Sequence, residues 1–322
     1  MRDKARRNVL LLSAGRRVSL ARLLRGAIGR IGGALITADM RPEMSAACVD
    51  NGDFAVLPRV TDSGYAAALA QLCAERGIGL VFPTIDTELG VLAGLRAQLA
   101  AEGTQVVVCD APLIAAARDK RLTAAHFAAF GVQSPGLMTV EAMRYPAIAK
   151  PFDGSLSRDI TVLHQPGDLT EKVLQTPNIM FADYLDQAAH DEFTCDAYYT
   201  ANGALRCVVP RQRIEVRGGE VAKARAVKNE ILGLFQAQLA QVEGARGCLT
   251  FQFFRHRESG RLWLIELNPR FGGGYPLTAA AGAAYHDWAV REYLEGVTPA
   301  VYDSWQDGLT MLRYDGEVFT DG

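Results

Sequence analysis

Leu249-Thr250-Phe251-Gln252-Phe253-Phe254 and Leu262-Trp263-Leu264-Ile265-Glu266-Leu267, joined by the polar run Arg255 to Arg261, are the stretch on which the fold turns. Both apolar runs read as strands, and Ser259-Gly260 supplies the turn between them. If the hairpin pivots near Ser259, residues equidistant from it face each other, so Gln252 stands opposite Glu266. Period-two alternation then puts Asn268 on the same face as Glu266. One surface of an apolar hairpin thus gathers a carboxylate and two amides, oxygen donors suited to a hard cation such as Mg²⁺. A cation would relieve the cost of burying Glu266 beside Leu and Ile. The competing reading pairs Glu266 with Arg270 as a structural ion pair.

Directly beyond run Asn268-Pro269-Arg270-Phe271-Gly272-Gly273-Gly274. Consecutive glycines let a backbone approach a ligand closely, and Arg270 has the forked geometry for a phosphate oxygen. A flexible loop is the alternative. Upstream, a helix is expected from about Glu230 to Val242, and Glu192 to Val209 reads as strand, turn, strand about Asn202-Gly203. Arg211, Arg213 and Arg225 lie between these elements; they are candidates for holding an acidic acceptor or a phosphate, with solvated surface arginines as the other reading. Farther back, Ala147 to Lys150 and Ile160 to His164 form a hairpin around Asp153 to Arg158, a loop whose glycine and serines beside a lysine suggest phosphate contact.

The first third alternates apolar runs (Asn8 to Ser13, Ala34 to Ala38, Gly79 to Pro83, Gln105 to Cys109) with helical patterns such as Val18 to Ile28, the signature of a parallel sheet covered by helices. Ser13-Ala14-Gly15-Arg16-Arg17 falls at the first strand-to-helix turn, where helix amides can hold an anion. It lacks the G-x-G-x-x-G spacing of a dinucleotide site, and a tight turn with solvated arginines fits as well. Asp39 and Asp86 end strands, where open α/β sheets bind ligands, though both could be helix caps. Two helical patterns, Ala111 to Arg118 and Arg121 to Phe130, separate this module from the next.

At 322 residues the chain calls for two or three modules, and its 49% hydrophobic and 22% charged composition is that of a globular protein. A net charge of -2 gives no basic field for nucleic acid. No apolar run approaches the ~20 residues of a membrane span, and no secretion signal is evident. The six cysteines and five histidines show no C-x-x-C or zinc-type spacing, so no structural metal is expected, and the cysteines suit a reducing cytoplasm.

The run Ile265-Glu266-Leu267-Asn268-Pro269-Arg270, with Gln252 before it, resembles the metal site of ATP-grasp enzymes, in particular their carbamoyl-phosphate-synthase-like, carboxylate-amine ligase branch. Leu12 to Arg17, Thr84-Ile85-Asp86-Thr87-Glu88, Arg118-Asp119-Lys120 and Ala149-Lys150-Pro151 resemble that branch in the same order, so the similarity spans nearly the whole chain. It implies a mixed α/β and α+β architecture: a Rossmann-like parallel-sheet domain over 1–113, a small lid subdomain with linking helices over 114–185, and a large subdomain carrying the metal site over 186–322, the last two being antiparallel sheets that clamp ATP. By the same resemblance Lys120, Lys150, Gly154 and Ser155 would contact ATP phosphates, Asp183-Tyr184-Leu185 would form the adenine hinge, and Glu192 would bind the ribose. Gln252, Glu266 and Asn268 would hold Mg²⁺ or Mn²⁺, and Arg270, Lys150 and Arg225 would serve the chemistry. The partners implied are ATP, a small carboxylate and an amine, with room for a homodimer. Leu156 and Asp159 stand where relatives commonly have glycine, which leaves open an ATP-binding regulator without turnover. A nicotinamide dehydrogenase, the other rival, leaves the Gln252, Glu266 and Asn268 face unexplained.

Overall fold

The computed structural model describes residues 6–154 and 159–320. Three sheets follow one another along the chain. Strands β1 (Asn8–Leu11), β2 (Leu35–Asp39), β3 (Phe54–Val56), β4 (Ile78–Phe82) and β5 (Gln105–Val106) form a parallel sheet in the order β3-β2-β1-β4-β5. β1, β2 and β4 are almost wholly buried, because helices cover both faces and leave no side to face water. The next sheet is antiparallel, β6 (Leu137–Met138), β7 (Ala147–Pro151), β8 (Thr161–Leu163) and β9 (Ile179–Asp183), ordered β6-β9-β7-β8. The largest sheet contains β10 (His190–Tyr199), β11 (Leu205–Arg217), β12 (Glu220–Ala226), β13 (Gly247–His256), β14 (Leu262–Asn268) and β15 (Thr310–Leu312), ordered β14-β13-β10-β11-β12-β15.

The hairpin that opened the sequence reading forms in the implied register: Gln252 pairs with Glu266 and Thr250 with Asn268. Gly203 turns the β10–β11 hairpin at φ 76. The helix expected to reach Val242 ends earlier, running Glu230–Gln238. Its last residues leave the helix to bond the neighbouring turn, with Leu205 N–H donating to Ala240 and Val242 N–H to Gly203.

Alternation divides the large sheet into two chemically different faces. One carries Phe193, Cys195, Phe251 and Phe253, buried against Phe235 of the helix Glu230–Gln238. The other carries Glu192, Thr194 and Asp196 on β10, Arg211 and Arg213 on β11, and Thr250 and Gln252 on β13. At its centre Asp196 is fully buried and accepts hydrogen bonds from Arg211 at 2.9 Å, Thr278 at 2.6 Å and Thr250 at 3.1 Å. Arg211 is itself only 1% exposed.

Removing one member of a buried ion pair leaves the other charge without compensation. Asp196→Ala should therefore lower the urea-unfolding free energy by about 3–5 kcal/mol. Asp196→Asn, which keeps one acceptor for the hydroxyls, should cost visibly less in the same titration.

Candidate functional site

The parallel sheet reverses its strand order between β1 and β4, and the turns that follow these two strands lie side by side, at the crevice where open α/β sheets take ligands. The turn after β1 is fixed from within. Gly15 N–H donates to Asp39 at 3.1 Å, Arg17 N–H to Ala14, and Ser13 Oγ to Glu88 at 2.6 Å. The amides of Ala14, Gly15 and Arg17 are thus spent within the protein, so the turn is tight, while the reading of its arginines as solvated holds for only one of them. Of its two arginines, Arg16 is exposed whereas Arg17 is half-buried and points into the crevice. Asp39 serves the turn directly. Asp86 is the first residue of the helix Asp86–Ala101, yet its carboxylate faces the large sheet, receiving Arg270 through Nε at 3.1 Å and Nη2 at 2.6 Å.

That contact removes the reading of Glu266 as an ion-pair partner of Arg270. Arg270 is engaged by Asp86, with Asn268 Oδ1 accepting a longer bond at 3.4 Å, so Glu266 is left with Gln252, whose Nε2 donates to it at 3.3 Å. Among the described residues Glu266 makes no ion pair. Gln252, Glu266, Asn268 and Arg270 line one cavity of about 160 Å³. Glu266 and Asn268 also line a narrower cleft that runs toward Lys120 and Gly154.

On the lid side, Lys120 begins the helix Lys120–Ala128, capped by Asp119, and its Nζ donates to the Gly154 carbonyl at 2.6 Å. Lys150, on β7, is held down to about pKa 8 by burial first and by the charge of Lys120 second, while Glu266 and Glu192 act in the opposite direction. Glu192 is half-buried, raised by that burial, and meets Arg213 at 3.4 Å. Asp183 is tied by Gly136 N–H at 2.9 Å and by Arg144 at 3.0 Å, which makes its carboxylate a strut of the hinge; Tyr184 and Leu185 follow it, half-buried. Ser155 and Leu156 lie outside the described residues. Asp159 has φ 55, in the left-handed region that favours glycine and that Asp tolerates better than most.

Arg225 is not brought to the site. It pairs with Gln212, out of phase with Arg211 and Arg213, and so falls on the other face, exposed and bonded to Thr310. Arg211 and Arg213 are the arginines of that segment on the face that carries Thr194 and Gln252. The parity of 211 and 213 against 225 across the hairpin was the available signal. Asp196, which the sequence reading passed over, had a comparable signal: Glu192, Thr194 and Asp196 alternate with apolar residues and so share a strand face.

The three glycines owe their identity to side chains pressed against them. A Cβ on Gly272 would meet Thr250 at 3.0 Å, and one on Gly273 would meet Arg17 Nη1 at 2.9 Å. One on Gly274 would overlap Arg211 Nη1 outright. All three have ordinary φ, so the flexible-loop reading gives way to a packing reason.

Among protein families, residues 9–107 match the PylC-like N-terminal domain and residues 175–315 match the family described as ATP-grasp in the biosynthetic pathway with Ter operon. The chain has the ATP-grasp fold. No curated protein sequence matches it. Solved structures show the same ATP-grasp fold at low identity. The biotin carboxylase domain of Hydrogenobacter thermophilus 2-oxoglutarate carboxylase, in complex with MgADP, ADP and bicarbonate, is 16% identical over 96% of this chain and 74% of its own, with TM-score 0.75. N5-carboxyaminoimidazole synthetase from Staphylococcus aureus, complexed with ADP, is 16% identical over 91% and 78%, with TM-score 0.69. L-amino acid ligase from Bacillus licheniformis is 15% identical over 91% and 75%, with TM-score 0.65.

The crowding at Gly274 can be tested directly. Gly274→Ala must displace Arg211 from Asp196 and should destabilise the protein by about 1–3 kcal/mol in urea titration, the usual range for overpacking. Gly26→Ala, where a Cβ meets nothing within 4 Å, should be neutral or mildly stabilising in the same assay.

Proposed function

We propose that this protein is an ATP-dependent ligase that moves the γ-phosphoryl group of ATP onto a small carboxylate and passes the resulting acyl group to an amine or another nucleophile. The observation that carries this reading is the single polar surface on which Gln252, Glu266 and Asn268 meet, with Lys120 and Lys150 toward the lid and Arg270 on the opposite side. In the first step a carboxylate oxygen bonds to the γ-phosphorus as the bridge to ADP breaks. In the second, the amine nitrogen bonds to the acyl carbon, the carbon–oxygen bond to phosphate breaks, and the amine's proton leaves to solvent. Neither step calls for a protein nucleophile; both need positioning and charge neutralisation.

Mg²⁺ fits the residues present. Among the described residues Glu266 makes no ion pair, Gln252 and Asn268 add neutral oxygens, and an incomplete set of hard donors suits a cation that keeps waters and substrate phosphates in its shell. When bound there it would neutralise charge on the transferring phosphoryl group. Lys150 and Lys120 would hold the phosphates, Glu192 the ribose and the backbone at Asp183-Tyr184-Leu185 the adenine. Arg270, oriented by Asp86, would present its remaining N–H groups to the acyl phosphate. The nucleotide complexes of the structural relatives support ATP as the co-substrate, and the amino acid ligase supports an amino acid or similar acid as the carboxylate.

The decisive assay is ADP release over a panel of carboxylates and amines. MgATP alone should raise Tm by a few degrees, because it binds only the folded state. Glu266→Gln keeps the side chain's shape and removes its charge, so it should abolish ADP release while leaving the apo Tm within a few degrees of wild type. A Glu266→Gln protein with full activity overturns the metal assignment, and nucleotide binding without ADP release for any pair points to a regulator.

Lys150 makes nucleotide binding pH-dependent. Its folded pKa of about 8 lies below its usual 10.5, so between these values the unfolded chain keeps a proton that the folded protein has released, and this group's contribution to apo stability rises with pH across that window. A phosphate against the ammonium favours the charged form. MgATP binding should therefore take up a proton above pH 8 and weaken as pH rises further. Calorimetry in buffers of different ionisation enthalpy reads the uptake, and Lys150→Ala should remove it.

A further inference from the structure

Four arginines (Arg17, Arg211, Arg213 and Arg270) and two carboxylates (Glu220 and Glu266) line the cavity beside the proposed metal residues. Three of its arginines have carboxylate partners: Arg211 has Asp196, Arg213 has Glu192 and Arg270 has Asp86. Glu220, at the rim, is taken by Arg313 at 2.7 Å and Arg16 at 3.5 Å. Arg17 has neither. Among the described residues its guanidinium makes no hydrogen bond or ion pair, although it is half-buried against Gly273 and faces Arg270 across the cavity. Arg211 lines the same cavity, and its Nε, fully buried, has no acceptor among the described residues. Burial and then the charge of Arg270 lower Arg17 to about pKa 10, so the fold holds two guanidinium groups together at a cost that an anion between them would relieve.

We propose that this cavity takes a second carboxylate of the substrate, bound by Arg17 and Arg211 Nε, so that the acid activated beside Glu266 and Arg270 is a small dicarboxylic acid. The inference rests on the ligase reading of the same site. A carboxylate's two coplanar oxygens match the directed N–H groups of guanidinium. The size limit is set by the cavity, whose 160 Å³ is below the ~300–1,000 Å³ of pockets for drug-sized ligands and restricts the acid to a few carbons. Arg17 comes from the turn after β1 and Arg211 from β11, so the grip closes only where the first sheet meets the large one.

The test is calorimetric titration of the full-length protein, in the presence of MgADP, with succinate, glutarate and adipate, each against the monocarboxylate of equal length, and with inorganic phosphate. The best dicarboxylate should bind about tenfold or more tighter than its monocarboxylate counterpart, the value of one charge-assisted anchor. Arg17→Gln should erase that preference while MgATP still raises Tm; Arg17→Lys, which keeps the charge without the fork, should restore part of it. Equal binding of mono- and dicarboxylates, an Arg17→Gln protein that keeps the preference, or phosphate binding as tightly as the best dicarboxylate would overturn the proposal. Loss of the MgATP shift in the wild-type protein would instead undermine the ligase reading itself.

Discussion

The bidentate contact between Asp86 and Arg270 is the constraint on which the candidate site depends. Asp86 opens a helix of the parallel-sheet module, and Arg270 follows the last long strand of the antiparallel sheet. Both groups are largely shielded from water, at 21% and 15% side-chain exposure, so the pair is screened less than a surface salt bridge and its planar geometry fixes orientation as well as distance. Asp86 also lies in the first turn of its helix, where the macrodipole favours a negative charge. Joining the modules at this point sets the width of the crevice between them. It also draws Arg270 away from Glu266. Had Arg270 paired with its near neighbour in sequence, the one carboxylate of the proposed metal face would have been neutralised by protein.

Much of this was legible because β-structure encodes faces locally. A pivot at Ser259 and a period of two were enough to place Gln252 opposite Glu266 and Asn268 beside it, and Asn202-Gly203 marked its hairpin from sequence alone. The first sheet followed from alternating apolar runs and helical patterns. What stayed hidden depended on contacts between residues far apart in the chain. The end of the helix at Gln238 is set by the turn at Gly203, and the grip of Asp86 on Arg270 joins positions with no shared local pattern. Arg225 belongs to an intermediate case. Its parity relative to Arg211 was countable, but only once the register of β11 and β12 was known, and that register shifts twice along the pair.

The three glycines show how a correct assignment can have a different physical cause. Their sequence suggests backbone freedom or close approach to a ligand, whereas in the fold they make room for Arg17, Arg211 and Thr250. Consecutive small residues are the sequence trace of two guanidinium groups packed against a main chain. Burying Arg211 is expensive, and the fold offsets the cost by giving it Asp196, whose remaining lone pairs are filled by Thr250 and Thr278. Such a network contributes less to net stability than an apolar core of the same volume would. Its consequence is positional: it fixes a forked donor at the wall of a cavity, with one N–H left over.

The division of labour between modules follows from where these charges come from. Lys120, Lys150, Glu192, Gln252, Glu266 and Asn268 all belong to the linking helices and the two antiparallel sheets, and on the proposed reading they would surround the nucleotide and its metal. Arg17 and Asp86 come from turns of the parallel sheet, the part of an α/β module that can change without disturbing its strands. Arg17 therefore faces the large sheet across the cavity only as far as Asp86 and Arg270 hold the modules in register. On the proposed ligase reading, a change at either end of that contact would move the acid's side of the cavity relative to the nucleotide's, and so couple recognition of the acid to transfer of the phosphoryl group.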